Sequence, residues 1–317
     1  MRIFTFLLLL SAVGLLAEQP RKPATETELR RWLENMVLYH RYSVEEVRAA
    51  TGLSAEEIEQ AEARFGLQNG KRPRRAAGAP LLVLPYPGGR HPRIGFLEGA
   101  VDPQRETKLS IFTPWDEQSY VVADLPEAIW SNLGLTYLAH THVPTIWTKE
   151  HTSLPALEWD QLKNGDWRME RTLPNGIRFG TLAHATPEAV VMKMWLSNGT
   201  SQALSDLRVQ NCVMLKAAAG FNQQTNANKV LRGPFAACRS ETGDHWVITA
   251  WKPIHRAWAN PPVPCLHADP KFPDTKPGEV SLLRGIVSFY TGTEIEKEFE
   301  RIGTNWEKWM QPLEERR

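Results

Sequence analysis

Residues 190–215 read VVMKMWLSNGTSQALSDLRVQNCVML, and their periodicity decides the fold. Val190–Ser197 and Leu207–Leu215 alternate with period two, the repeat of a strand whose two faces meet different surroundings. Asn198-Gly199 between them is a hairpin-turn dipeptide. With Thr200 it also spells a glycosylation sequon, although the turn already accounts for it. On the second strand Leu207, Val209, Val213 and Leu215 share one face with Asn211, whose amide would need a partner there. Arg208, Gln210, Cys212 and Lys216 share the other face. The first face reads as core. The second is unusually polar and reads either as a solvent face or as the floor of a cleft.

The same pattern of short strands runs on both sides of this stretch. Candidates are Leu81–Pro85, Ile94–Glu98, Lys108–Thr113, Tyr120–Asp124, Thr136–Val143, Trp167–Thr172, Ile177–His184, Trp246–Trp251 and Val280–Tyr290. Pro, Gly, Asn and Asp separate them. No long amphipathic helix interrupts the series, so a parallel α/β fold is disfavoured. The expectation is a mainly β protein, an antiparallel β-sandwich over residues 80–303, with a jelly-roll as one form of it. Glu294–Gln311 reads as a terminal helix packing Phe299, Ile302 and Trp306, and 304–317 as the C-terminal helix and tail.

Upstream the reading changes. MRIFTFLLLLSAVGLLA, residues 1–17, has a basic start and an apolar run too short for a normal span, as in a signal peptide. This implies a periplasmic or secreted protein without stable membrane insertion after cleavage. Residues 18–68 read as a small helical domain: Glu26–His40, Ser43–Thr51 and Ser54–Phe65, a three-helix segment. Ser43 with Glu46 and Ser54 with Glu57 are capping boxes, and Gly52 sits where a left-handed turn would separate two helices. The middle of this segment resembles a helix-turn-helix. DNA binding is nevertheless rejected, because an exported protein meets no chromosome and the last helix carries five acids or amides with one arginine. The net charge of +1 likewise gives no reason to expect nucleic acid. Residues 69–79 read as a solvated linker. The chain has three cysteines, Cys212, Cys238 and Cys265, which allow one disulfide at most.

Candidate chemistry concentrates in Trp251–Asp274, WKPIHRAWANPPVPCLHADPKFPD. Its six prolines argue for a long rigid loop forming one wall of a site. His255, Arg256, His267 and Asp269 are the catalytic candidates: histidine moves protons near neutral pH, and arginine holds a carboxylate or an enolate. The bland alternative is that they staple the loop to a sheet. His140-Thr141-His142 on a strand would point both imidazoles to one side and suits one divalent metal ion, or else a non-metal histidine pair. Trp147, Trp251 and Trp258, among twelve tryptophans, are the candidate sugar platforms, with Arg90 and Lys216 as further substrate contacts. Glu98, Glu150, Glu158, Asp269 and Asp274 could supply a carboxylate pair for glycoside hydrolysis. No phosphate loop, GxSxG elbow, HExxH or Rossmann fingerprint occurs.

Three runs carry a family resemblance: YPGGRHPRIGFLEG (86–99), WSNLGLTYLAHTHVPTIW (130–147) and HRAWANPPVPCLHADPKFPD (255–274). The chain resembles an uncharacterised family of exported bacterial β-sandwich proteins, most typical of polysaccharide-degrading, planctomycete-like bacteria. The likeness covers most of residues 80–303 and brings no established activity with it. The strand organisation also looks galactose-mutarotase-like, which implies carbohydrate ligands. Gly134-x5-His140-x-His142 resembles the start of the cupin signature, but Ile146 and Trp147 stand where cupins carry a glutamate. The leading expectation is an exported carbohydrate-active enzyme acting on oligosaccharides by elimination or hydrolysis. The alternatives are a non-catalytic carbohydrate-binding module and a cupin-like metal oxidoreductase.

Overall fold

A computed structural model describes residues 20–68, 70–94, 105–140 and 143–314. The expected signal peptide, most of the Ile94–Glu98 strand, Glu98 and His142 lie outside the described residues.

The N-terminal segment forms as its caps dictate. Helix α1 (Glu26–Leu33) continues into a π-helical turn, Glu34–Tyr39; α2 (Val44–Thr51) and α3 (Ala55–Phe65) follow. Both capping boxes are made, and Gly52 ends α2 at φ 68°. Trp32, Leu33, Met36, Val47 and Ile58 give these helices a small core of their own.

Two antiparallel sheets follow. The strands are β1 (Val83–Pro85), β2 (Lys108–Phe112), β3 (Tyr120–Ser131), β4 (Gly134–Leu138), β5 (Asp160–Gln161), β6 (Trp167–Thr172), β7 (Ile177–Ala185), β8 (Ala189–Asn198), β9 (Val209–Met214), β10 (Lys229–Arg232), β11 (Phe235–Arg239), β12 (His245–Lys252), β13 (Ile254–Asn260), β14 (Val263–Pro270) and β15 (Val280–Thr291). Seven build one sheet, ordered β1-β2-β3-β9-β14-β13 with β4 added to β3. Eight build the other, ordered β10-β11-β12-β15-β8-β7-β6-β5. The protein is therefore mainly β, a sandwich as expected.

The main core lies between the sheets, with Leu109, Val121, Ile129, Val209 and Val213 from one meeting Phe179, Met192, Leu196 and Val287 from the other. Each outer face is covered. Helices α4 (Ile295–Thr304) and α5 (Trp306–Glu314) lay Phe299, Ile302, Trp306 and Met310 on the outer face of the larger sheet. The N-terminal helices lie against the smaller one: Asn35 Nδ2 donates to Pro85 O at 2.9 Å, and His40 Nε2 stands 2.7 Å from Ser110 Oγ. His40 is ringed edge-on by Tyr42, Tyr86, Phe112 and Tyr120.

Two expectations change. The Asn198-Gly199 turn does not join a hairpin: β8 pairs with β7 and β15, whereas β9 lies in the other sheet beside β3 and β14. The turn passes the chain between sheets, and Asn198 is buried with Nδ2 donating to Thr275 O at 2.8 Å. The described part of 69–79 has no helix or strand and is mostly exposed, with two of its arginines reaching neighbouring residues. Arg72 lies 4.4 Å from the Phe112 ring centroid, and Arg75 donates to Pro187 O at 2.9 Å. The proline-rich segment is not a loop but the hairpin β13–β14. Its prolines fall where no ladder donor is needed: Pro261 and Pro262 in the turn, Pro253 just before β13, and Pro264 and Pro270 near the two ends of β14.

The docking of the helices depends on Gly89. It sits at φ +74°, and a Cβ there would come within 2.2 Å of Glu46 O and 2.9 Å of Ala50 Cβ. Gly89→Ala should therefore loosen α2 from the sheet and cost about 1–3 kcal/mol. An earlier thermal melt, with cleavage between residues 68 and 80 under limited proteolysis, is the expected reading; an unchanged melt would mean that the contact contributes nothing.

Candidate functional site

The polar face expected of β9 lies on the outer side of the smaller sheet, beyond the part that His40 covers. Residues 210 and 212 from β9 and 265, 267 and 269 from β14 share it, since alternate residues of a strand point the same way. The long strand β3 adds Glu127. Its register against β9 slips between Asp124 and Ala128, where Pro126 interrupts the run, and this re-aims the residue after the proline. His140 lies just past the end of β4, so the expected strand over Thr136–Val143 stops at Leu138. The peptide after it is still tied to β3, Ala139 N donating to Glu127 O at 2.8 Å.

Glu127 is the hub. Its Oε1 accepts from His140 Nε2 at 2.8 Å and from Arg93 Nη2; its Oε2 accepts from Gln210 Nε2 at 2.8 Å and lies 4.0 Å from His267 Nδ1. The His267 Nδ1 is 3.8 Å from Asp269 Oδ1 and makes no hydrogen bond among the described residues. Asp269 Oδ2 accepts from Arg256 Nε at 2.8 Å and Trp258 Nε1 at 2.6 Å, and its Oδ1 accepts from Asn211 N at 3.2 Å. Trp258 stacks on the His267 ring, with centroids 3.9 Å apart at 12°. Behind it, Cys265 Sγ lies 3.3 Å from His267 Nε2, and the ligand atoms of Cys212, Cys265 and His267 all fall within 4.8 Å of one another. The three cysteines are free and buried.

Burial dominates the electrostatics. Burial alone would raise the Glu127 carboxyl, but Arg93 and then His140 hold it well below its ordinary value. Burial lowers His140, outweighing the opposing pull of Glu127, so its imidazole is neutral at neutral pH. The Glu127 carboxylate can only accept, so His140 Nε2 carries the hydrogen between them. Burial also lowers His267, but Cys212, Glu127 and Asp269 outweigh it and push the group up to about 9. Asp269 is raised by its burial, against His267, Trp258 and Arg256.

The structure thus brings His140, Arg256, Trp258, His267 and Asp269 together, although 129 residues separate His140 from Asp269 (269 − 140). Several other expected site residues are elsewhere. His255 sits at a bulge of the edge strand β13, exposed and without a hydrogen bond or ion pair among the described residues. Trp251 is fully buried in the sandwich core against Gly285, and Trp147 is buried with Nε1 donating to Thr136 O at 2.8 Å. Trp251 has no exposed face, whereas Trp147 borders a surface cavity with Ile146, Glu150 and Gln202. Arg90 is taken up by Glu46, with Nη2 donating to Oε2 at 2.7 Å, and Lys216 Nζ donates to His91 O at 2.8 Å. Both staple the 86–93 segment. The Nε2 of His140 faces an arginine, Nη1 of Arg93 at 3.2 Å, which is the wrong neighbour for a cation at that nitrogen. His142 lies outside the described residues; among those described, the buried Cys212, Cys265 and His267 group could hold an ion.

Glu127, Arg93 and Gln210 were not among the expected catalytic, substrate-binding or metal residues. The readable signal for Glu127 is Pro126 inside an otherwise apolar strand, which marks a bulge.

No protein-family profile matches the chain, and no curated protein matches it in sequence. Among solved structures it is similar to a protein of Escherichia coli K12 provisionally described as an aldose 1-epimerase, at 10% identity and TM-score 0.35, covering 58% of this chain and 79% of that one. It is also similar to the polysaccharide lyase BACCELL_00875, at 11% identity and TM-score 0.34 over 69% and 33% of the two chains. The heparan sulfate lyase HepC of Pedobacter heparinus, in a mutant form, aligns at 9% identity and TM-score 0.32 over 74% and 39%. These neighbours are carbohydrate-active by their descriptions. This chain spans about a third of the first lyase and two fifths of the second.

Proposed function

We propose that this chain is an exported carbohydrate-active enzyme that works by acid–base chemistry on the outer face of its smaller sheet. The observation that carries this reading is the hub: one buried carboxylate orients an imidazole, with an arginine at the solvent edge of the same network. His140 is the base, held by Glu127 through Nε2. Arg256, whose side chain is about half exposed, is placed by Asp269 to meet a substrate carboxylate. This pairing suits elimination from a uronic-acid oligosaccharide. The proton next to the carboxyl group passes to His140, the carbon–oxygen bond on the neighbouring carbon breaks, and the departing oxygen takes up a proton. Arg256 offsets the negative charge that builds on the carboxylate.

Incubation with uronic-acid oligosaccharides should raise ultraviolet absorbance as the unsaturated product accumulates. His140→Ala is expected to slow that rise by about a hundredfold. Release of reducing ends without the rise would mean hydrolysis instead. Burial favours a second reading: His140 and His267 are 2% and 3% exposed, as in a rigid frame. A non-catalytic carbohydrate-binding module would hold its ligand against Arg256 and Trp258 alone. Binding without turnover, unchanged by His140→Ala, selects that reading.

A further inference from the structure

The geometry points to a buried thiolate–imidazole metal site, formed by Cys212 on β9 with Cys265 and His267 on β14, that takes one zinc ion. Its three ligands do not include Glu127 or His140, although Glu127 and Asp269 border it.

The argument begins with register. Cys265 lies opposite Met214, so Cys212 is its diagonal neighbour across the β9–β14 ladder, and both thiols share a face with His267. Diagonal neighbours stand roughly 7–8 Å apart at Cα. That is at or beyond the limit of about 7 Å for a disulfide. It suits two sulfurs that share a third atom. Ligand atoms around tetrahedral zinc are roughly 3.5–3.8 Å apart, given Zn–S of about 2.3 Å and Zn–N of about 2.0–2.1 Å. The three ligand atoms here lie within 4.8 Å of one another, with the Sγ of Cys265 and Nε2 of His267 already at 3.3 Å.

The surroundings favour the ion further. A ligating histidine turns its other nitrogen to a carboxylate, which fixes the ring. His267 Nδ1 is buried without a hydrogen-bond partner, with Asp269 Oδ1 at 3.8 Å and Glu127 Oε2 at 4.0 Å beyond it. Trp258 stacked on the ring closes that side. Charge selects the metal. The neighbouring Glu127 and Asp269 are matched by Arg93 and Arg256, so the pocket favours a neutral addition. Zinc with two thiolates and a neutral imidazole is neutral, whereas copper(I) would leave a buried negative charge. Binding requires both thiols deprotonated and His267 neutral, so it releases protons from the ligands. A thiol nucleophile would need an accessible sulfur, but Cys212 and Cys265 are both buried beside a second thiol.

The test uses the full chain, reduced and stripped of metal. Zinc should bind with one equivalent, and cobalt(II) in its place should give an intense near-ultraviolet sulfur-to-cobalt charge-transfer absorption. Cys212→Ser with Cys265→Ser is expected to remove the absorption and weaken zinc about a hundredfold or more, while Cys238→Ser and His140→Ala keep both. Asp269→Asn, which changes a positioning residue, should weaken zinc by about 10–100-fold with the absorption retained. If the native protein shows no cobalt–thiolate absorption, the site does not exist, whether or not the double variant folds. Equal zinc affinity in a folded double variant overturns it too. So does a count of only one free thiol in freshly purified, denatured protein, which would mean a Cys212–Cys265 disulfide.

Discussion

Glu127→Gln lowers the stability of the fold by about 3–5 kcal/mol, the expected cost of breaking a buried ion pair on one side only. Arg93 is buried and loses its counter-charge, and His140 and Gln210 keep at best a neutral acceptor. For a domain whose whole margin is of order 5–15 kcal/mol, that is a large part. The urea midpoint measures it, and a fall of less than about 1 kcal/mol would show that water or backbone replaces the carboxylate. The pH profile checks the cause. Burial pushes Glu127 up, but Arg93 and His140 hold it well below its ordinary value of 4.5. Its contribution is therefore fully present above that value and lost as pH falls through the lower, folded value. Part of the acid-side loss of stability should vanish in Glu127→Gln.

The second large effect is expected at Lys108, on the same outer face. Lys108 and Asp124 are both wholly buried, with Nζ 3.1 Å from Oδ2, and the Thr107 hydroxyl donates to the other carboxylate oxygen. Lys108→Met leaves a buried Asp124 charged without its counter-ion, again at about 3–5 kcal/mol. Lys108→Met with Asp124→Leu should recover most of that loss, because an apolar pair of similar volume carries no desolvation cost. A double variant as weak as the single one would show that Asp124 matters through Thr107 and not through the lysine.

Much of the fold was legible because it is set by local rules. Trp167–Thr172 forms as read, and Val190–Ser197 forms with one residue more at each end, since alternation between a core and a second face is written in the residues themselves. The helical caps were legible for the same reason: Ser43 with Glu46 and Ser54 with Glu57 act within one turn. The proline-rich segment was misread because proline forbids a ladder donor, not a strand. Where the sheet margin or a turn makes no demand for that donor, the strand survives. The hairpin Lys229–Arg239 passed unread; its turn holds Gly233-Pro234 and its flanks are short.

The site was legible only by residue type. His140, His267, Asp269 and Arg256 stood out by kind of side chain, but their meeting depends on the order of strands across a sheet, which no local pattern encodes. His255 shows the converse: one position from Arg256 in sequence, it sits at the bulge and turns to solvent. Trp147 and Trp251 followed the general tendency of tryptophan towards the interior.

The strand that carries Arg256 and Trp258 is also the margin of the smaller sheet, and twice along its length the pairing with β14 shifts, by one residue between Ile254 and Arg256 and by two between Trp258 and Asn260. A margin kinked in this way offers no straight row of peptide groups to a second molecule. The irregularity that turns His255 outward thus guards against edge-to-edge stacking. Any redesign that trims His255 to straighten the strand would gain a tidier mouth and inherit a seed for fibrils.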